Sequence, residues 1–385
     1  MDRWRLLLPA VAALLAAPPC PAPACSLCGN ALQQTPTLRQ EAAQPSARLI
    51  LYGPIDNPRG STTTTLTIEA VLRPDPILAG RKELDLGRYL PVSDPKNPPR
   101  FLVFCDVNKD KIDAYRGVPI RSAEGLDYVK KALALDPKDP GGNLDFSFRY
   151  LEHPDKEVAA DAFLEFLRAN DRQLGQVSSK LSPEKLRGWL KDPQTPAERL
   201  SLYAFLLGGC GGDADADFLR EALVGAGSPD HAPAERTINA YDGYLGGYIH
   251  LRPREGWDLT VSVLRDGRKP QLMRLAVVRT VRMYYGWRPK ESHDDVLKCL
   301  TAMVAQGDLA DLAIESLRRW KMWDLTPDVL ALYGRKGFDA PILKRAIIRY
   351  ALCCDDEASK QFAADRRTAE PEVVREVEES LQFEK

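Results

Sequence analysis

The sequence predicts an α+β chain in separate domains, a small β-barrel or sandwich followed by an α-helical solenoid. Three observations carry that expectation. Residues 47–120 alternate apolar and polar side chains at period two, between breaks of Gly, Pro, Asp and Asn. Past about residue 125 the apolar positions recur every three or four residues instead. Within that second part, an opening of proline and an apolar helix returns at Pro196, Pro233 and Pro270, twice at an interval of 37 residues.

Residues 1–24 read as a secretory signal peptide. Arg3 and Arg5 start it, Leu6 to Ala17 form an apolar run, and a proline-rich stretch ends at Ala22-Pro23-Ala24, a small-x-small cleavage site. The run is too short to span a bilayer and no later stretch is long and apolar enough, so no transmembrane segment is expected after cleavage. Cleavage after Ala24 makes Cys25 the first residue. Lipoprotein boxes usually carry leucine three residues before that cysteine; Ala22 stands there, so simple export is favoured over a lipid anchor at Cys25. The expected location is secreted or periplasmic, in the cell envelope. A formal charge of −1 excludes the basic excess of a nucleic-acid binder. Seven cysteines lie beyond the leader: Cys25, Cys28, Cys105, Cys210, Cys299, Cys353 and Cys354. They are too scattered for a disulfide-built scaffold, and an odd number leaves one thiol free or paired between chains.

Residues 25–121 form the β-rich domain. Its strand-like runs are ARLILYGPI, STTTTLTIEAVLRPDP, ELDLGRYLPV, PRFLVFCDV and DAYRGVPI. The second places Leu66, Ile68 and Ala70 on one side and Thr65, Thr67 and Glu69 on the other. Before them, CSLCGN holds a C-x-x-C. A thioredoxin-like site needs a strand-to-helix context, a zinc site needs further Cys or His ligands, and haem attachment needs a histidine where Gly29 stands. A staple remains, with Cys25 or Cys28 bridged to Cys105 to tie down the N-terminus. Asp106, Asn108 and Asp110 imitate the first ligands of a calcium loop. Lys111 and Gly117 occupy the places that need Gly and Glu, so a hairpin turn is expected. The first-residue cysteine, the second one nearby, the ARLILYGPI run and the strand containing Cys105 resemble the netrin-like module. This is the OB-type barrel shared with tissue inhibitors of metalloproteinases. The pattern departs from that family in having C-x-x-C for C-x-C and in lacking most of its other cysteines. The resemblance implies a barrel and, carried to Cys25, chelation of a target's zinc by the terminal amine and carbonyl.

Residues 122–144 are expected to be a linker with a short helix, and 145–385 the helical repeats. HPDKEVAADAFLEFLRAN opens on Pro-Asp and puts Ala159, Phe163, Phe166 and Leu167 on one face. After the openings at Pro196, Pro233 and Pro270 come related ones at Gly307, Ala340 and Glu370. Helix pairs of this size cannot bury an apolar face alone, so they stack. PQLMRLAVV, PILKRAII and PEVVREV resemble the second helix of HEAT repeats, over about residues 145–384. That motif is degenerate and implies an architecture rather than an activity. Arg199, Arg236, Arg274, Arg345 and Arg375 recur three or four residues after the prolines. They are expected to bond carbonyls or carboxylates of the neighbouring repeat. Asp217 is expected to cap the helix FLREAL, and Cys353 and Cys354 to be buried thiols.

Aromatic and basic side chains gather between residues 241 and 323. Tyr241, Tyr244 and Tyr248 fall on one helical face, and Arg282, Trp287, Arg319, Trp320 and Trp323 follow. Any one of them packs a core more often than it binds. Together they are the material of interface hot spots, and they form the candidate binding face. No HExxH, GxSxG, Walker loop or GxGxxG after a strand occurs. His153, His231, His250 and His293 have no nucleophile or metal partner at a recognised spacing. The expectation is an exported, non-enzymatic scaffold that binds protein partners, without cofactor or metal. The alternative is an inhibitor-like or ligand-binding protein acting through the N-terminal β-domain.

Overall fold

The computed structural model describes residues 35–58, 62–226 and 234–384, so the leader, Cys25 and Cys28 lie outside the described residues. The N-terminal part is a six-stranded antiparallel sheet of β1 (Leu49–Asp56), β2 (Thr65–Thr67), β3 (Ala70–Arg73), β4 (Glu83–Asp85), β5 (Arg100–Asn108) and β6 (Lys111–Pro119). The order is β4-β2-β1-β5-β6, with β3 beside β2 on the same edge of β1. Period-two alternation divides the strands between two apolar layers. Ile50, Tyr52, Leu102 and Phe104 face one way; Leu49, Leu51, Val103 and Cys105 face the other.

The expected OB-type barrel is not what these strands build: among the described residues the sheet stays open, with β4 and β6 at its edges. Closure is unnecessary because both faces are covered. Helices α1 (Leu38–Ala42), α2 (Ala123–Leu133) and α4 (Lys156–Arg168) close the first layer, and Leu78, Leu86, Leu90 and Val92 close the second. Helix α2 therefore belongs to the sheet's core through the buried Tyr128 and Val129, where the sequence suggested a linker helix.

The long second strand breaks in two. Leu66 packs in one layer and Ala70 in the other, so the alternation is interrupted between them. Gly53 permits the break: a Cβ there would lie 1.8 Å from the Thr67 carbonyl oxygen. The polar cluster at 106–110 is a hairpin, as expected. Lys109 and Asp110 turn between β5 and β6 with φ of 47° and 64°, the left-handed pair of a two-residue turn.

Cys105 sits fully buried on β5 between Leu49 and Ala114, and burial pushes its thiol up to about 12. Among the described residues there is no disulfide. Iodoacetamide at pH 8 is expected to leave Cys105 unmodified in the folded chain and to label it after unfolding in reductant. Peptide mass reads the difference, and fast native labelling would contradict this placement.

The rest is helical: α3 (Pro140–Phe148), α5 (Asp171–Ser178), α6 (Pro183–Lys191), α7 (Ala197–Cys210), α8 (Asp213–Gly225), α9 (Ala234–Asn239), α10 (Tyr241–Leu251), α11 (Pro253–Arg265), α12 (Gln271–Trp287), α13 (His293–Val304), α14 (Ala310–Trp320), α15 (Thr326–Leu330), α16 (Pro341–Cys353), α17 (Glu357–Ala369) and α18 (Pro371–Gln382). Helices α7 and α12 begin at 197 and 271, 74 residues apart, which is twice the 37-residue interval. One apolar cluster runs unbroken from Leu144 to Cys354, as stacking of helix pairs requires.

The recurrent arginines are used internally. Arg199 donates to the Leu151 carbonyl and Glu152, Arg236 to the Pro193 and Thr195 carbonyls, and Arg274 to Asp308. Arg345 reaches Glu376, while Arg375 stays on its own helix with Glu372. Helix α8 begins at Asp213, four residues before the expected cap Asp217. Asp215 accepts the Gly212 N–H at 3.0 Å and is held by Arg187, so capping shifts to the earlier carboxylate.

Candidate binding face

The structure splits the eight predicted face residues. Tyr241, Tyr244 and Tyr248 are buried, because α10 is packed by α7, α8, α11 and α12. Burial pushes the Tyr244 hydroxyl up to about 12. Trp287 is buried as well, its indole filling the place a Cβ on Gly175 would take, 1.9 Å away. It also contacts Phe205 and His250 edge-on. Against His250 this burial, with Arg288 nearby, lowers the imidazole to about 4. These four aromatics are core. A helix in a stack meets neighbours on every side, so a shared helical face does not make a surface.

Trp323 is half-buried and packs edge-on against Tyr350 at 5.0 Å. Arg282, Arg319 and Trp320 do come together, on α12 and α14. Trp320 stacks on Tyr285 with ring centroids 3.9 Å apart and planes 16° from parallel. Arg282 is half-buried, and its Nε donates to Ser316 Oγ at a long 3.4 Å.

A second recurrence, absent from the sequence-based expectations, organises this surface. Leu272, Leu312 and Ile342 stand in the first turn of α12, α14 and α16. Seven residues after each comes an arginine: Arg279, Arg319 and Arg349. Residues seven apart share a helix face. Leu272 and Ile342 are each 64% exposed, while Leu312 leans on the core. Three alternate helices thus carry an apolar row and an arginine row. The L-x6-R spacing was readable in LMRLAVVR, LAIESLRR and ILKRAIIR, but nothing in it tells an exposed row from a buried one.

The arginine row and its neighbours are unevenly paired. Arg279 Nε donates to the buried Asp242 at 2.5 Å, which also accepts from Ser201 Oγ at 2.7 Å. Glu315 accepts from Arg318 at 2.8 Å and from Arg349, and Arg318 also reaches Glu384. Arg319 lies 4.0 Å from the same Glu315 and is largely exposed. One carboxylate therefore serves three guanidiniums. Arg282 has no carboxylate within hydrogen-bond distance among the described residues; burial first, then the Arg319 charge, lower its pKa, against Asp311 and Glu315.

A second polar cluster joins the sheet to the helices. Asp161 of α4 accepts the Leu38 N–H and the Tyr128 hydroxyl, each at 2.7 Å. Arg39 pairs with Glu165, and Arg116 and Tyr115 hold Glu41. Beside them is a cleft of about 300 Å³ lined by Leu38, Val118, Phe163 and Arg199. Its members come from four distant stretches of chain, so no sequence motif announces it. Each Asp161 carboxylate oxygen accepts one of these bonds, fastening α1 through Leu38 and α2 through Tyr128 to α4, which makes the cluster a joint.

No family model, no curated protein and no solved structure matches the chain.

Proposed function

We propose that this chain is an exported, non-catalytic protein-binding scaffold, that its helical part is HEAT-like, and that partners dock on the face of α12, α14 and α16. The double row on that face carries the reading. Apolar side chains as exposed as Leu272 and Ile342 gain nothing from water, and their repetition beside arginines suits a partner surface. The leader at residues 1–24 supports export. The arginines three or four residues after each proline stabilise the stack, and Arg279 and Arg349 of the second row are paired as well, which leaves Arg319 as the exposed member of that row without a hydrogen-bonded carboxylate among the described residues.

A photo-crosslinking residue in place of Leu272 or Ile342, in the full chain within its own cells, is expected to capture one discrete polypeptide. The same residue in place of Glu221, exposed on α8, is expected to capture none. No adduct from the Leu272 and Ile342 positions, or equal yields from all three, would sink the scaffold reading.

A further inference from the structure

Resting on that reading, we propose that Arg282 and Arg319 form the specificity centre of the face and receive a side-chain carboxylate from an acidic, amphipathic segment of a protein partner. The argument starts from what each guanidinium lacks. Arg282 is half-buried, bonded among the described residues only to Ser316 Oγ at 3.4 Å, and next to a like charge. Among the described residues Arg319 is held by nothing closer than Glu315 at 4.0 Å, a carboxylate already shared by Arg318 and Arg349. A guanidinium drawn out of water beside another cation is unfavourable until an anion joins it. The planar fork of Arg donates two parallel hydrogen bonds to a carboxylate.

The surroundings select the kind of anion. Arg279, Arg318 and Arg349 are already answered by Asp242, Glu315 and Glu384, and Asp311 and Glu315 also face Arg282. A nucleic acid would need a track of free cations for its phosphates. Among the described arginines of α12, α14 and α16 only Arg282 and Arg319 have no hydrogen-bonded carboxylate, which suits a single carboxylate. Leu272 and Ile342 lie one row away, and the Tyr285–Trp320 stack lies beside the pair. Arg282 follows Leu272 by ten residues on α12, and Arg319 follows Leu312 by seven on α14, about 10 Å at the α-helical rise. A partner helix with an apolar residue and a glutamate seven positions apart matches that spacing.

The test uses the purified full chain and a fluorescein-labelled helical peptide with leucine and glutamate seven residues apart, followed by anisotropy at low salt. The expected result is saturable binding, at least about tenfold weaker for the Glu→Gln peptide. Arg319→Ala is expected to weaken it about tenfold, Arg282→Met similarly, and added salt progressively. Arg345→Ala, which removes a partner of Glu376 only, is expected to stay within about twofold. Arg319 is largely exposed, so its variant should keep the fold, and an unchanged melting curve checks this. Equal affinity for the two peptides, indifference to Arg319→Ala, or displacement by a single-stranded oligonucleotide at lower concentration than by unlabelled peptide would each overturn the proposal. Crosslinking from the Leu272 position separates the two readings. An undiminished adduct in the Arg319→Ala chain removes the specificity centre and leaves the scaffold. No adduct in the unsubstituted chain removes the scaffold itself.

Discussion

Gly243→Val is expected to lower the stability of the helical part by about 3–5 kcal/mol, one of the largest effects available to a single substitution here. Helices α7 and α10 meet almost backbone to backbone. A Cβ on Gly243 would lie 1.8 Å from the Ser201 carbonyl oxygen, and one on Gly247 2.3 Å from that of Ala204. Ser201, Ala204 and Gly208 on α7 face Gly243 and Gly247 on α10, so small residues on both sides set the distance. Neither helix can retreat, since both are enclosed by others. Moving α10 outward would also pull Asp242 from Ser201 and Arg279. Urea unfolding measures the loss, and a change under about 1 kcal/mol would show that the contact yields. Gly188→Ala in α6 is the comparison. Nothing outside its own helical backbone lies within 4 Å of its added Cβ, so helix propensity should make it neutral or slightly stabilising.

Asp161 is expected to make the joint between sheet and helices sensitive to acid in an unusual direction. Burial raises its carboxyl from 3.8 to about 6, outweighing the Tyr128 and Leu38 hydrogen bonds and the Arg116 charge, while Glu165 adds to the rise. The folded-state value thus exceeds the unfolded one. Between about pH 4 and pH 6 the folded chain keeps a proton that the unfolded chain has released. The Asp161 contribution is full below that window, falls as pH rises through it and is flat above. Two pKa units correspond to about 3 kcal/mol. Asp161→Asn keeps an acceptor for the Leu38 N–H but does not titrate. Its stability minus that of the unsubstituted chain should therefore rise between pH 4 and pH 7, by up to about 3 kcal/mol. Other titrating groups largely cancel in this difference. Parallel unfolding profiles for the two chains would sink the idea.

The sequence by itself determined the order of the architecture, strands first and stacked helices after, because period two and period 3.6 are properties of local backbone geometry. It also determined the 37-residue spacing of the helix starts and the internal use of Arg199, Arg236, Arg274 and Arg345, since a turn followed by an apolar helix repeats as one packing unit. Only the tertiary structure decided what covers each face. The sheet stays open because α1, α2 and α4, drawn from both sides of the strands in sequence, bury one layer. Tyr241, Tyr244, Tyr248 and Trp287 became core while Arg282, Arg319 and Trp320 reached the surface. A helical wheel shows which residues share a face, and nothing about whether a neighbour lies against it. The unequal pairing of Arg282 and Arg319 was hidden for the same reason: a charge's partners are set by three-dimensional proximity, and Glu315 lies 34 residues from the Arg349 it serves.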